Sequence, residues 1–167
     1  MSNSRSSQAR SGATDGGERR SLQLLIIDDD ATQRALISAA AQQAGHVVTL
    51  AHSCAEAIER VQTARFDCVT LDLMLEDGDG IDVLQAMAEA KFAGSVIVVS
   101  GMDAARRIAA RSRARSLGME LRSLPKPLDL AALRICLANL GKTAMGLPVM
   151  HSWGGVKVEG EAEQHRT

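Results

Sequence analysis

From Leu22 onward, short apolar runs alternate with longer segments of helical period, a pattern that predicts βαβ units and a parallel sheet. Residues 22–27, 47–50, 68–71 and 96–99 have the length and β-branched content of buried strands, and a weaker fifth run covers 119–124. Helices are expected over about 31–44, 53–64, 81–90, 103–116 and 130–140. Their punctuation supports this reading. Asp30 and Asp103 stand where an N-cap should, Ser53 and Glu56 have capping-box spacing, and Gly45, Gly118 and Gly141 stand as helix stops. Five such units predict an α/β fold, a doubly wound five-stranded parallel sheet with helices on both faces.

The 167 residues suit one domain with tails. Residues 1–20 are rich in Ser, Gly and Arg and too poor in large apolar groups to offset the entropy of ordering, so a disordered N-terminal tail is expected, then a domain over 21–141. Residues 142–167 have no sustained period and are expected to be a loosely ordered tail, although Val149, Met150 and Trp153 could dock on the domain or a partner. A net charge of −1 gives no general attraction to nucleic acid or anionic membrane. With one Trp, two Phe and no Tyr, there is no stacking surface for single strands. Cys54, Cys68 and Cys136 lack zinc or disulfide spacing and read as buried free thiols. Neither a signal peptide nor a membrane span is legible, which places the expected location in the cytoplasm.

The polar residues that end the apolar runs change the picture. Asp28 and Asp29 follow the first run, Asp72 the third and Ser100 the fourth, while Lys126 lies between Pro125 and Pro127. In a parallel sheet all five fall at the carboxyl edge, where open α/β folds bind ligands. A carboxylate attacks phosphorus usefully only where the negative charge of the phosphoryl group is offset. Asp72 is therefore the expected phosphoacceptor, Asp28 and Asp29 join it as oxygen ligands for Mg2+, and Lys126 and the Ser100 hydroxyl reach phosphoryl oxygens. Singly, Asp72 and Ser100 also read as turn residues and Lys126 as a solvated loop lysine, while capping alone does not explain the pair Asp28 and Asp29; their joint order carries the argument. The stretch Asp77-Gly78-Asp79-Gly80 suggests a calcium loop, but an EF-hand beginning at Asp77 needs Glu where Ala88 stands, so turn chemistry accounts for it better.

The segments LLIIDDD, LDLMLEDGDG, VIVVSG and LPKPLD, in this order over about 22–140, resemble the receiver domain of bacterial two-component response regulators. The resemblance implies the flavodoxin-like receiver fold and phosphorylation of Asp72 by a histidine kinase or histidine phosphotransfer protein. It also implies a metal site of Asp28, Asp29, Asp72 and the Met74 carbonyl. Such a protein is expected to be a phosphoacceptor rather than an enzyme, with self-dephosphorylation at most, and to pass its output through protein contacts; the near-neutral charge and the short segment after Gly141 give no expectation of direct DNA or membrane binding. Two departures stand out: Glu76 replaces a frequent loop proline, and Ser123 occupies the switch position where receivers usually carry an aromatic. On the fourth helix, Arg107, Arg111 and Arg115 recur at helical spacing and form a candidate partner surface for an acidic protein, the alternative being a solvated face. The reading is a stand-alone receiver. Its rivals are a receiver-like binding module that is never phosphorylated, a piece of a longer regulator, and a haloacid-dehalogenase-like phosphatase with Asp28 as nucleophile and Asp30 as acid/base.

Overall fold

The computed structural model describes residues 20–101 and 103–143. The expectations for 1–19 and 144–167, Trp153 included, lie outside the described residues. Five parallel strands, β1 (Gln23–Ile27), β2 (Val47–Ala51), β3 (Cys68–Leu71), β4 (Ser95–Ser100) and β5 (Leu121–Pro125), form one sheet in the order β2-β1-β3-β4-β5. Helices α1 (Ala31–Gln43), α2 (Cys54–Thr63), α3 (Gly80–Glu89), α4 (Ala104–Ser116) and α5 (Leu130–Thr143) alternate with the strands. This is the expected doubly wound α/β fold.

Each central strand serves two cores because alternate side chains leave opposite faces of the sheet. Leu25, Ile27, Val69, Leu71, Val96 and Val98 pack with Val61, Val83, Leu84 and Met87 of α2 and α3 and with Ala110 and Ala114 of α4. Leu24, Ile26, Cys68, Ile97 and Val99 pack on the other face against Ile37, Ala40 and Ala41 of α1 and Leu133, Leu137 and Leu140 of α5. Burial of each large aliphatic side chain stabilises the fold by about 1.5–3 kcal/mol, and aliphatic groups do this work with almost no aromatic help.

Local signals set most boundaries. The carboxylates of Asp30, Asp79 and Asp103 and the hydroxyl of Ser53 accept backbone N–H groups at the starts of α1, α3, α4 and α2. Gly45 and Gly118 take positive φ beyond α1 and α4, as helix stops should. Gly141 does not. It stays helical and buried within α5, which runs on to Thr143, so the expected stop at Gly141 is corrected. A second correction concerns the loop after β3, where Met74–Leu75 pairs antiparallel with Gly78–Asp79 in a short ribbon outside the main sheet. Its turn is anchored by Asp77, whose carboxylate accepts the N–H groups of Cys54 and Ala55. The cysteines are free, with Cys54 and Cys68 buried and Cys136 only partly so. Burial pushes the Cys68 thiol up to about 12, an inert core sulfur. Among the described residues no helix is long and apolar enough to cross a membrane.

At the opposite edge of the sheet, His46 is buried between α1 and β2, and its Nδ1 accepts the N–H of Leu22 at 3.3 Å while Nε2 has no partner. Accepting that N–H requires the neutral ring, and burial lowers its pKa from the ordinary 6.5. The unfolded chain therefore binds a proton that the folded chain refuses, so this contribution is present above pH 6.5 and is lost as pH falls below it. Denaturant unfolding followed from about pH 7 to pH 5 should show the stability of His46→Gln, whose amide oxygen can still accept the Leu22 N–H, gaining on that of the wild type as pH falls, because only the wild type carries the His46 loss. Carboxylates held low by caps, such as Glu56, act only below their ordinary value of 4.5.

Candidate phosphoacceptor site

Parallel register brings the carboxyl ends of β1, β3, β4 and β5 into one edge. Ile27 pairs with Leu71 and Leu71 with Val98, so Asp28 and Asp72 emerge side by side, with Ser100 next along the edge. Backbone bonds fix these exits: Asp28 N–H donates to Ala51 O, Asp72 N–H to Ile27 O at 2.9 Å, and Lys126 N–H to Ser100 O at 2.9 Å. The peptide between Lys126 and Pro127 is cis.

Asp28 and Asp72 are buried, Asp29 half-buried, and one carboxylate oxygen from each lies within 4.8 Å of the others. That spacing suits a single hard cation with oxygen ligands, the chemistry Mg2+ prefers. Asp29 makes no side-chain bond among the described residues, which leaves its oxygens available. Lys126 Nζ lies 2.7 Å from Asp72 Oδ2 and 3.2 Å from Asp28 Oδ2, one ammonium shared by two buried carboxylates. The remaining oxygens are held locally, Asp28 Oδ1 by the N–H of Asp30 and Asp72 Oδ1 by the N–H of Met74.

The charges are unequally balanced. Burial raises the pKa of Asp28, and the neighbouring Asp72 charge adds to this, against the opposing Asp30 N–H and Lys126. For Lys126, burial presses the ammonium down, but the hydrogen bond and charge of Asp72, followed by those of Asp28, outweigh it and leave the pKa raised. The edge is thus cationic at Lys126 and strained by excess negative charge around Asp28. Ser100 adds a third feature: its Oγ is buried with no hydrogen-bond partner, an unsatisfied group of the kind that marks a place for a ligand oxygen.

Sequence reasoning placed Asp28, Asp29, Asp72, Ser100 and Lys126 at this edge, and the fold gathers them there. Met74 begins the ribbon, with its side chain exposed. Ser123 lies half-buried in β5 opposite Val98, with no aromatic bulk. Asp30 caps α1 through Thr32 and Gln33 and is exposed, a placement that suits a cap and not an acid/base. The basic stripe is uneven. Arg111 and Arg115 are exposed, but Arg107 is half-buried and donates to Gly101 O at 3.0 Å, which corrects the picture of three equivalent surface arginines.

Two other arginines were not singled out for the site. Arg34 Nη1 donates to the carbonyls of Asp28 and Asp29 at 2.7 and 2.9 Å, and Arg106 Nη1 approaches Leu73 O at 3.4 Å and Asp79 Oδ2 at 3.2 Å. Only helical phase from a capped start could have suggested Arg34, and no local signal links Arg106 to a loop 27 residues away.

Known proteins share this chain's sequence pattern and its fold. Residues 24–138 match the response regulator receiver domain, and the chain belongs to that family, whose members are phosphoacceptors of two-component signalling. The acid tolerance regulatory protein ActR of Rhizobium meliloti (strain 1021) is 36% identical over 106 residues, 64% of this chain and 53% of that protein. Response regulator MprA of Mycobacterium ulcerans (strain Agy99) is 28% identical over 113 residues, covering 68% and 47%. The receiver domain of the Francisella response regulator 1452 matches with a TM-score of 0.63 and 25% identity over 74% of this chain and 98% of that one. The chain spans about half the length of the curated relatives it matches.

Two outcomes follow from the geometry. Because burial disfavours the ionised Asp28 carboxylate, its cost is present well above the unfolded pKa of 3.8 and disappears as pH falls through the raised folded value. Asp28→Asn should therefore melt higher than the wild type at neutral pH without magnesium, while calorimetric titration with magnesium should show weaker binding. Gly80 is tight against the acceptor loop, since an added Cβ would lie 2.7 Å from Asp72 O and 2.8 Å from Leu73 Cα. Urea unfolding should show Gly80→Ala losing about 1–3 kcal/mol, whereas Gly101→Ala, with nothing within 4 Å of its Cβ position, should stay near the wild type.

Proposed function

We propose that this chain acts as a cytoplasmic receiver that accepts a phosphoryl group on Asp72 from a histidine kinase or a histidine phosphotransfer protein and signals through protein contacts. The observation that carries the proposal is the buried Asp72 carboxylate, held against Lys126 at 2.7 Å beside two further aspartates. An Asp72 oxygen attacks phosphorus, the P–N bond of the phosphohistidine breaks, and the imidazole leaves with the electron pair. When bound by Asp28, Asp29, Asp72 and the Met74 carbonyl, magnesium supplies the charge neutralisation that lets two anions meet. Lys126 pairs with one phosphoryl oxygen, and the unpartnered Ser100 hydroxyl donates to another. The chain acts in this reading as a phosphoacceptor rather than an enzyme, with self-dephosphorylation of the phosphoaspartate as its one hydrolytic reaction.

Output runs through other proteins. Arg111 and Arg115 offer an exposed basic face to an acidic partner, and Ile108 beside them is an exposed apolar contact. No DNA contact is proposed. Ser123 favours one rival, a receiver-like module that binds partners without ever being phosphorylated.

Intact-mass spectrometry after incubation with acetyl phosphate and magnesium tests the reading. The wild type should gain one phosphoryl mass, stable to mild acid and lost in base, and Asp72→Asn should not. Phosphate release that survives Asp72→Asn but is lost in Asp28→Asn would instead identify a hydrolase with Asp28 as nucleophile. Neither mass gain nor release would leave the binding module.

A further inference from the structure

We propose that Arg106 and Arg107, adjacent in the first turn of α4, are positioning residues that couple the phosphoacceptor edge to this helix by holding the backbone carbonyls beside Asp72 and Ser100. The inference rests on the phosphoacceptor reading and names how that site is read out when the switch position carries Ser123.

Arg106 reaches across to the loop after β3. Its Nη1 approaches the carbonyl of Leu73, the residue after Asp72, and pairs with Asp79, the N-cap of α3. Leu73 O also accepts the Gly80 N–H at 3.1 Å, so this one oxygen pins both ends of the acceptor loop and ties it to α4. Arg107 reaches the other way, donating to the carbonyl of Gly101, the residue after Ser100. The two loops that must respond to a phosphoryl group are thus gripped by neighbouring residues of one helix.

The helix is built to respond. Its buried side chains are only Ala110 and Ala114, and its largest apolar residue, Ile108, is 68% exposed. Burial of two methyl groups anchors a helix weakly, so polar tethers decide where α4 sits. On the α3 side these tethers are Arg106 to Asp79 and Arg113 to Gln85. Ser100 supplies the trigger, since its buried and unpartnered Oγ gains an acceptor once Asp72 carries a phosphoryl group. Drawing Ser100 toward that oxygen moves Gly101, where added side-chain bulk would meet nothing, and with it the carbonyl that Arg107 holds. A shift at the loops and a shift of α4 are therefore one event, which is what coupling between two sites requires.

The test uses the full chain, with beryllofluoride and magnesium as the phosphoryl mimic. Fluorine NMR reports the adduct, and backbone amide NMR reports α4 in the wild type, Arg106→Ala, Arg107→Ala, the double variant and Arg106→Lys, each checked for a cooperative melt. All should form the adduct. The wild type should show amide shifts through α4, the double variant well under half of that response, and Arg106→Lys a partial return. A folded double variant that forms the adduct with the full α4 response overturns the coupling, as does a wild-type adduct without an α4 shift. If the double variant does not fold, Arg106→Gln with Arg107→Gln shortens both side chains away from the Leu73 and Gly101 carbonyls while keeping them polar, and an undiminished α4 response there overturns the coupling equally. Failure of the wild type to form any adduct overturns the phosphoacceptor reading itself, and the coupling with it.

Discussion

Two carboxylates buried on neighbouring strands share one lysine, and much of the structure is arranged around that imbalance. Asp28 and Asp72 are almost wholly removed from solvent, Asp29 is beside them, and among the described residues Lys126 is the single cation close enough to bond two of the three. Like charges so close are tolerated only where the surroundings fix them, because each buried ion has lost its water. Here the fixing is done by backbone: Asp30 and Met74 N–H groups hold the inner oxygens, and Arg34 binds the carbonyls of Asp28 and Asp29 from α1. The excess negative charge that burdens the fold is the same charge that gives a divalent cation somewhere to bind. Stability is given up locally for function, and the aliphatic cores on both faces of the sheet supply it elsewhere.

The arginines of α4 belong to this economy as well. A helix with five arginines and hardly any apolar face reads as surface decoration, yet Arg106 and Arg107 turn toward the protein and grip the loops that bear the site, while Arg111 and Arg115 turn outward. One helix therefore touches the chemistry on one flank and presents a basic surface on another. In a domain without an aromatic at Ser123, this direct connection between acceptor loop and exposed surface is the short route by which one can inform the other.

His46 marks the far edge of the sheet with a different constraint. A neutral imidazole accepts the N–H just before β1, so the strand that carries Asp28 and Asp29 is secured at its amino end by a group sensitive to mild acid. The two ends of β1 thus answer to different conditions, charge balance at one and protonation at the other.

Much of this was legible in the chain itself. Apolar runs of strand length, N-caps at Asp30, Ser53 and Asp103 and stops at Gly45 and Gly118 determine the βα alternation, because these are short-range preferences of backbone and side chain. The order of Asp28, Asp29, Asp72, Ser100 and Lys126, each at a strand end, was enough to assemble the candidate site, since a parallel sheet delivers every strand end to the same edge. Tertiary structure decided the rest. Gly141 is carried in the helical conformation of α5, against the backbone of Arg20, and the Met74–Leu75 ribbon is held where Asp77 accepts the N–H groups at the start of α2. Arg34, Arg106 and Arg107 acquire their partners only when loops distant in sequence meet, and a long, flexible cationic side chain carries no local signal of which carbonyl it will reach.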